Sequence, residues 1–219
     1  MCHITLLRRL ARAIAVVAGC LVLPLASGSR CFADGLPELY QVSASYRHWG
    51  VDDSDTTSDP DTYLLIYVDG ELQALTPVFE GQGHQWTSRQ TVTLALRPGS
   101  RVNFQVWDAD LESALDPATI EVLSWGAAIA LLLLTEDPVL AEMAEWAAKK
   151  LLELASQIDG DDYLMSVSVH PRLSGQESAL VDLTAGDDHL GYLQYHASPA
   201  STSDLECNRE ALQILWARR

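Results

Sequence analysis

The sequence predicts a mainly β protein: an eight-stranded antiparallel β-sandwich with an inserted α-helical hairpin and a C-terminal helix. Three observations lead to this fold class. Eight short apolar runs follow one another between residues 39 and 197, and turn residues separate most of them. The one long gap between runs, at 108–162, carries helix signals instead. Hydrophobic residues make up 48% of the 219 residues, which is enough for one such domain with additions.

Most of the predicted strands show the period-two alternation of half-buried strands. The exception is 63–68, which is continuously apolar and therefore predicts a central strand covered on both faces. Asp69-Gly70 predicts a two-residue hairpin turn after that strand. The predicted strands are 39–46, 63–68, 71–78, 90–96, 101–107, 163–169, 179–184 and 192–197.

The 51 residues between Asp110 and Asp162 predict two helices, which together form an insert at 117–158. Asp116-Pro117 and Asp137-Pro138 each combine an N-cap residue with proline at the first helical position. We expect the first helix to extend to about residue 134. The second should end at residue 158, just before an Asp-Gly pair.

The first predicted helix is apolar on all sides, because only Ser124 interrupts the apolar run at 122–134. Helices of this kind are usually buried, so we expect it to lie between the second helix and the sandwich. The alternative is contact with a membrane or a partner through Trp125, Leu131 and Leu132. The run is long enough to enter a bilayer interface but not to span a bilayer.

The C-terminal end predicts one more helix. Ser203 and Glu206 have the spacing of a capping box, which indicates a helix that extends to about residue 217. The expected organisation is therefore a sandwich domain at 36–198, containing the helical insert, followed by a C-terminal helix at 199–219.

The first 28 residues have the pattern of a secretory signal peptide. Arg8, Arg9 and Arg12 precede an apolar segment at 13–26, which is too short to span a bilayer as an ordinary helix. Small residues at 26–28 offer a cleavage site, and residues 31–33 offer a second. We therefore expect a secreted or periplasmic protein, with a lipid anchor at Cys20 as an alternative.

The position of signal cleavage decides the cysteine chemistry. Cleavage after Gly28 leaves Cys31 and Cys207, and two thiols in an exported chain predict one disulfide between the two termini. Cleavage after Ala33 would instead leave Cys207 unpaired.

The charge of the chain excludes some partners. The net charge is −16, and removal of the three leader arginines leaves 11 basic residues against 30 acidic ones, a net charge of −19. Nucleic-acid binding needs basic patches, so it is not expected. Simple adsorption to anionic lipid without calcium is not expected either.

Aspartates concentrate in two predicted connections. Asp108 and Asp110 directly follow the strand at 101–107, and a second acidic cluster occupies 52–61. If the strands alternate in direction, the connections at 47–62, 79–89, 108–162 and 185–191 all fall at one end of the sandwich. Carboxylates that meet there would repel one another unless a cation lay between them, and calcium takes six to eight oxygen ligands.

These acidic loops resemble those of C2 domains, the calcium-dependent phospholipid-binding sandwiches of protein kinase C and the synaptotagmins. A strand, then Asp53, then Asp59-Pro60 and a second strand resembles their first calcium loop. Val106-Trp107-Asp108-Ala109-Asp110 resembles the third loop, and Asp162-Tyr163-Leu164-Met165 resembles its closure, with Met165 where the family usually has glycine. The resemblance covers about residues 38–198. The last predicted strand, at 191–195, resembles the strand that opens some members, which implies the circularly permuted topology.

The resemblance implies a calcium site and a non-enzymatic module that binds a membrane or a protein partner. It implies five aspartate ligands. The long insert makes Asp116 an alternative to Asp162, the last of the five. An EF-hand at 53–64 is excluded, because its sixth position lacks glycine and its twelfth is Leu64. The implied ligands are Asp53, Asp59, Asp108, Asp110 and Asp162.

An enzyme is the alternative to a binding module. The sequence contains no nucleophile elbow, phosphate loop, dinucleotide fingerprint or paired zinc-ligand spacing. A metal-dependent hydrolase would have to use the same acidic cleft, with His84 or His189 beside it.

Overall fold

The computed structural model describes residues 38–49, 61–79, 86–87, 90–109, 117–132, 137–157 and 162–218. These residues belong to one compact unit, Asp34–Arg219. They contain all eight predicted strands and all three predicted helices, so the predicted fold class is confirmed. The strands are β1 (Glu38–His48), β2 (Thr62–Val68), β3 (Glu71–Leu75), β4 (Gln90–Leu96), β5 (Val102–Asp108), β6 (Asp162–Val169), β7 (Glu177–Ala185) and β8 (Asp188–Pro199). The helices are α1 (Pro117–Leu132), α2 (Pro138–Gln157) and α3 (Thr202–Trp216).

The strands form two antiparallel halves. The order across the sheet is β3-β2-β5-β6-β7-β8-β1-β4. β6 and β7 are paired only at Ser166 and Thr184, so the sheet divides into β3-β2-β5-β6 and β7-β8-β1-β4. The last strand, β8, lies between β1 and β7, as the permuted topology requires.

The main core lies between the two halves. Phe104 of β5 stacks on Tyr195 of β8, with the ring centroids 6.1 Å apart. Side chains from every strand contribute to this core, because alternate residues of each strand face inwards. Its buried members include Tyr40, Val42, Leu64, Ile66, Ala74, Leu94, Val106, Met165, Leu183 and Leu193.

The two edge strands, β3 and β4, are joined by one side chain. A bulge in the pairing of β2 with β3 leaves Gln73 without a partner on β2, because Ile66 pairs with Ala74 and Tyr67 with Leu72. The amide of Gln73, which is 3% exposed, bonds to both backbone groups of Ala95 on β4. Ala95 N–H donates to Oε1 at 2.8 Å, and Nε2 donates to the Ala95 carbonyl at 3.3 Å. Bulges often change the direction in which a side chain points. Here the bulge turns the Gln73 side chain towards β4, and its amide links the two edge strands.

Helix α1 covers this junction. It packs against β3, β4 and α2, and every residue from Val122 to Ile129 is buried. Ser124 Oγ accepts a hydrogen bond from the Leu75 amide at 3.4 Å, at the end of edge strand β3. The predicted burial of the first helix between the second helix and the sandwich is confirmed.

Burial of α1 corrects one prediction. Trp125 was a candidate for membrane or partner contact, but it is only 2% exposed because it packs in the core beneath α2. The side chains of Leu131 and Leu132, the other two candidates, lie outside the described residues. No helix in the described ranges is both long enough and apolar enough to cross a membrane.

The other two helices complete this second core. Asp137 caps α2 as predicted, since its Oδ1 accepts hydrogen bonds from the amides of Val139 and Leu140. Helix α3 buries Leu212 against the same cluster. Its predicted cap at Ser203 is wrong, because the helix has already begun at Thr202 and Ser203 lies in its first turn.

Helices α1 and α2 approach closely at Gly126. A Cβ added there would overlap with the Cβ of Ala147. A methyl group at both positions would therefore force the two helices apart.

We expect Gly126→Ala to destabilise the protein by about 1–3 kcal/mol, because the added methyl group overpacks the interface. Ala147→Gly in the same chain should recover part of that loss, since it removes the atom with which the new methyl group collides. Urea unfolding of both single variants and the double variant measures the coupling free energy. Losses that simply add would show that the two positions do not meet.

We also expect Gln73→Leu to destabilise the protein by about 1–3 kcal/mol for each Ala95 backbone group left buried without a partner. The matched control is Gln194→Leu on the exposed side of β8, which should change the free energy of unfolding by less than about 0.5 kcal/mol. Equal effects of the two substitutions in urea unfolding would contradict a role for the Gln73 amide.

Candidate metal centre

The strand directions bring four connections to one end of the sandwich. All neighbouring strands are antiparallel, so the connections β1–β2, β3–β4, β5–β6 and β7–β8 share that end. We call it the acidic end. The expected clustering of the connections at 47–62, 79–89, 108–162 and 185–191 is therefore correct.

Two of the predicted ligands lie side by side at the acidic end. Asp108, the last residue of β5, is directly opposite Asp162, the first residue of β6. On its other side Asp108 is opposite Thr62 of β2. Residues directly opposite in an antiparallel pair share a face, with Cβ atoms about 4.5–5.5 Å apart. Two carboxylates and one hydroxyl thus form a row across three strand ends.

This row lies on the inner face, and a bulge in β6 brings Asp162 into it. Val106 pairs with Met165, whereas Trp107 pairs with Tyr163, so Leu164 is an extra residue in β6. The bulge therefore sets which β6 residue lies opposite Asp108. Asp108 alternates with the core residue Val106, and it is 3% exposed. Asp162, opposite it, is exposed, so the two carboxylates lie at the rim of the mouth between the two halves of the sandwich, one buried and one open to solvent.

The opposite half contributes two aromatic side chains to the same mouth. The Tyr46 hydroxyl hydrogen-bonds to the Thr62 hydroxyl at 2.8 Å and so links β1 to β2. Burial raises the pKa of Tyr46 well above its usual range, so this group stays neutral beside the carboxylates. His48 follows on the same face and is also buried.

His48 and Asp61 were missed by reasoning from the sequence. His48 was given no role there, although its alternation with Tyr46 and Ala44 would have placed it inside. Asp61 ends the acidic cluster at 52–61, and its carbonyl accepts a hydrogen bond from the Ala109 amide at 2.7 Å. It therefore reaches the acidic end close to Asp108.

The other predicted ligands, and the alternative ligand on the long insert, lie outside the described residues. They are Asp53, Asp59, Asp110 and Asp116. Within the described part of the chain, no group of three or more histidine, cysteine or acidic side chains is arranged to hold a metal. The donors that are described, two carboxylates beside a hydroxyl, are the hard oxygen ligands that calcium prefers.

The histidine of the hydrolase alternative lies on a different surface. His189 contacts the rings of Tyr192 and Trp49, at centroid distances of 4.8 and 5.1 Å. Its Nδ1 is 3.8 Å from a carboxylate oxygen of Asp182, on the outer face of β7. The Asp108 carboxylate faces inwards, so His189 is not brought to it. His84 lies outside the described residues.

Only one cysteine of the predicted disulfide lies among the described residues. Cys207 is exposed on α3. Cys31, its expected partner, lies outside the described residues, so the bond remains a prediction.

No protein-family model matches the sequence, and no curated protein matches it either. A solved C2 domain matches 74% of this chain and 98% of its own, with 13% identity and a TM-score of 0.40. The C2A domain of plant extended synaptotagmin 1 matches 75% of this chain and 96% of its own, with 10% identity and a TM-score of 0.42. At these values the likeness says nothing about a ligand, and the function proposed below rests on this chain's own residues.

We expect Asp162→Asn to stabilise the metal-free protein slightly, by about 0.2–1 kcal/mol, because it removes a like charge directly opposite Asp108. The matched control is Glu210→Gln on the exposed surface of α3, which makes the same change in net charge. Thermal unfolding in EDTA compares the two variants. A loss of stability on Asp162→Asn would mean that the two carboxylates do not repel each other.

Proposed function

We propose that this protein is an exported, non-enzymatic calcium-binding module of the C2 type, which docks to a membrane or a protein partner. One observation carries the proposal: Asp108 and Asp162 are directly opposite each other on the inner face of the acidic end. Two neighbouring anions at the mouth of a core are unfavourable without a cation between them. The proposed site adds Asp53, Asp59 and Asp110 from the adjoining connections.

The choice of calcium follows from the donors. Carboxylate and hydroxyl oxygens suit calcium or magnesium, whereas zinc prefers nitrogen and sulfur ligands. Loops from several strands can give the irregular six- to eight-fold coordination that calcium accepts and magnesium does not. Export would place the protein in a compartment where a weak site, with a dissociation constant on the order of 10⁻⁴ to 10⁻³ M, can be filled.

The position of the helices favours docking through the acidic end itself. Helix α1 lies over β3 and β4, and its apolar residues at 122–129 are buried. The apolar stretch at 122–129 is therefore not available as an anchor while the protein is folded. We propose that the connections at the acidic end make the contact when calcium is bound.

We expect calcium to raise the melting temperature of the wild-type protein. A concentration ten times the dissociation constant stabilises the folded state by about 1.4 kcal/mol, which for a domain of this size corresponds to about 3–6 °C. The double variant Asp108→Asn, Asp162→Asn should lose this shift, because it removes both charges but keeps the side-chain shapes. Differential scanning calorimetry in EDTA and in millimolar calcium provides the measurement.

Two controls make the calcium experiment specific. Asp187→Asn, in the exposed turn between β7 and β8, lies at the same end and should keep the shift. Zinc at the same concentration should raise the melting temperature less than calcium does. A wild-type melting curve that does not change in millimolar calcium would refute the proposal.

A further inference from the structure

A second group of side chains lies on the outer face of the acidic end, around Arg47. The guanidinium carbon of Arg47 is 5.4 Å from the ring centroid of Trp86, 5.6 Å from that of Trp49 and 5.7 Å from that of Tyr192. These are cation–π distances. Arg47 alternates with the inward-facing Tyr46 and His48, so this group is separated from the Asp108–Asp162 pair by the sheet itself.

Among the described residues, Arg47 has rings around it but no ion-pair partner. Its Nε is buried without a hydrogen-bond partner, and no ion pair of Arg47 is found among the described residues. The chain has 30 acidic residues and only 14 basic ones, so carboxylates are plentiful. A buried charged donor without a partner is costly. The residue as a whole is partly exposed.

An exposed carboxylate lies on the other side of the rings. Tyr192 of β8 is opposite Arg47 of β1 in one direction and opposite Asp182 of β7 in the other. The rings of Trp49, His189 and Tyr192 contact one another edge to face, with centroids 4.8–5.3 Å apart. The outer face thus presents a cation, an aromatic ring and an anion side by side on three neighbouring strands: Arg47 on β1, Tyr192 on β8 and Asp182 on β7.

The backbone holds this row in place. The Trp49 amide donates to the Leu190 carbonyl at 2.9 Å, and the Thr87 amide, next to Trp86, donates to the Tyr46 carbonyl at 2.6 Å. A side chain at Gly191 would overlap with the Arg47 carbonyl, so only glycine lets β8 approach β1 this closely. The rings are therefore positioned before any ligand arrives. The exposed fraction of Trp86, 41%, leaves one of them open to solvent.

We infer that this surface binds a phosphocholine group, a zwitterion with a phosphate and a quaternary ammonium. The planar donors of Arg47 suit phosphate oxygens, and aromatic faces beside the Asp182 carboxylate suit a quaternary ammonium. A net charge of −16 disfavours a ligand that is only an anion, and Arg47 disfavours one that is only a cation. The group could belong to a soluble molecule or to a lipid head group.

The experiment is a titration of free phosphocholine into the full-length protein in EDTA, followed by tryptophan fluorescence and calorimetry. We expect saturable binding, because Trp49 and Trp86 line the site. Inorganic phosphate alone and choline alone should each bind more weakly than phosphocholine. Because EDTA removes calcium, this result does not depend on the proposed calcium site.

Variants test each half of the site. Arg47→Lys should weaken phosphocholine binding at least about tenfold, since lysine lacks the planar donors. Its control, Arg101→Lys, changes an exposed arginine at the opposite end, where it bonds to the Ser168 hydroxyl, and should leave binding unchanged. Asp182→Asn, which changes an exposed side chain, should weaken phosphocholine binding but not phosphate binding.

Vesicles distinguish the two sources of the ligand. Sedimentation with phosphatidylcholine vesicles in EDTA, reversed by free phosphocholine, would identify a membrane head group as the ligand. Phosphocholine binding without sedimentation would identify a soluble one. The inference is overturned if phosphocholine does not bind saturably, if Arg47→Lys and Asp182→Asn both bind it as tightly as wild type, or if inorganic phosphate binds more tightly.

Discussion

The open edges of the sheet impose the constraint on which the rest of this structure depends. A sandwich leaves an unpaired row of N–H and C=O groups on each edge strand, and such rows recruit other chains unless they are blocked. Here the edge strands β3 and β4 meet beneath helix α1, where Leu75 and Ala95 are buried, so the backbone groups at that place need partners from the protein itself. Gln73 provides two of these partners for Ala95, and Ser124 provides one for Leu75. The one polar residue that interrupts the apolar run of α1 is therefore the residue that meets the edge strand.

Covering the edges makes the inserted hairpin part of the core rather than an appendage. A helix that lies on two strands still exposes its other side, and α1 is apolar on that side too, so α2 and α3 must cover it. The same cluster also reaches the acidic end. Trp107 and Ala109, the neighbours of Asp108, pack against it from the outer face of β5. The strand end that presents Asp108 inwards is thus supported by the helices from outside, which couples the geometry of the carboxylates to the packing of the insert.

Local chemistry explains why the elements were predictable and their exact positions were not. The hairpin at Asp69-Gly70 follows from backbone preference alone, and both residues have the positive φ values, 53° and 91°, that the turn requires. The start of α2 follows from the Asp137 cap. The bulges at Gln73 and Leu164 carry no such local pattern, because an extra residue in a strand is defined only by its neighbour. Yet these two bulges decide that the edges are joined and that Asp162 lies opposite Asp108.

The division of the acidic end into two surfaces follows from the alternation of a single strand. β1 places Tyr46 and His48 inside the mouth and Arg47 outside, because successive side chains of a strand point to opposite faces. The inner surface gathers carboxylates, and the outer surface gathers rings around a cation that forms no ion pair with the described residues. The sheet separates Arg47 from the inner pair, so Arg47 does not neutralise it. The different charge of the two surfaces is therefore a property of the fold, and it makes each of them a candidate for a ligand of its own.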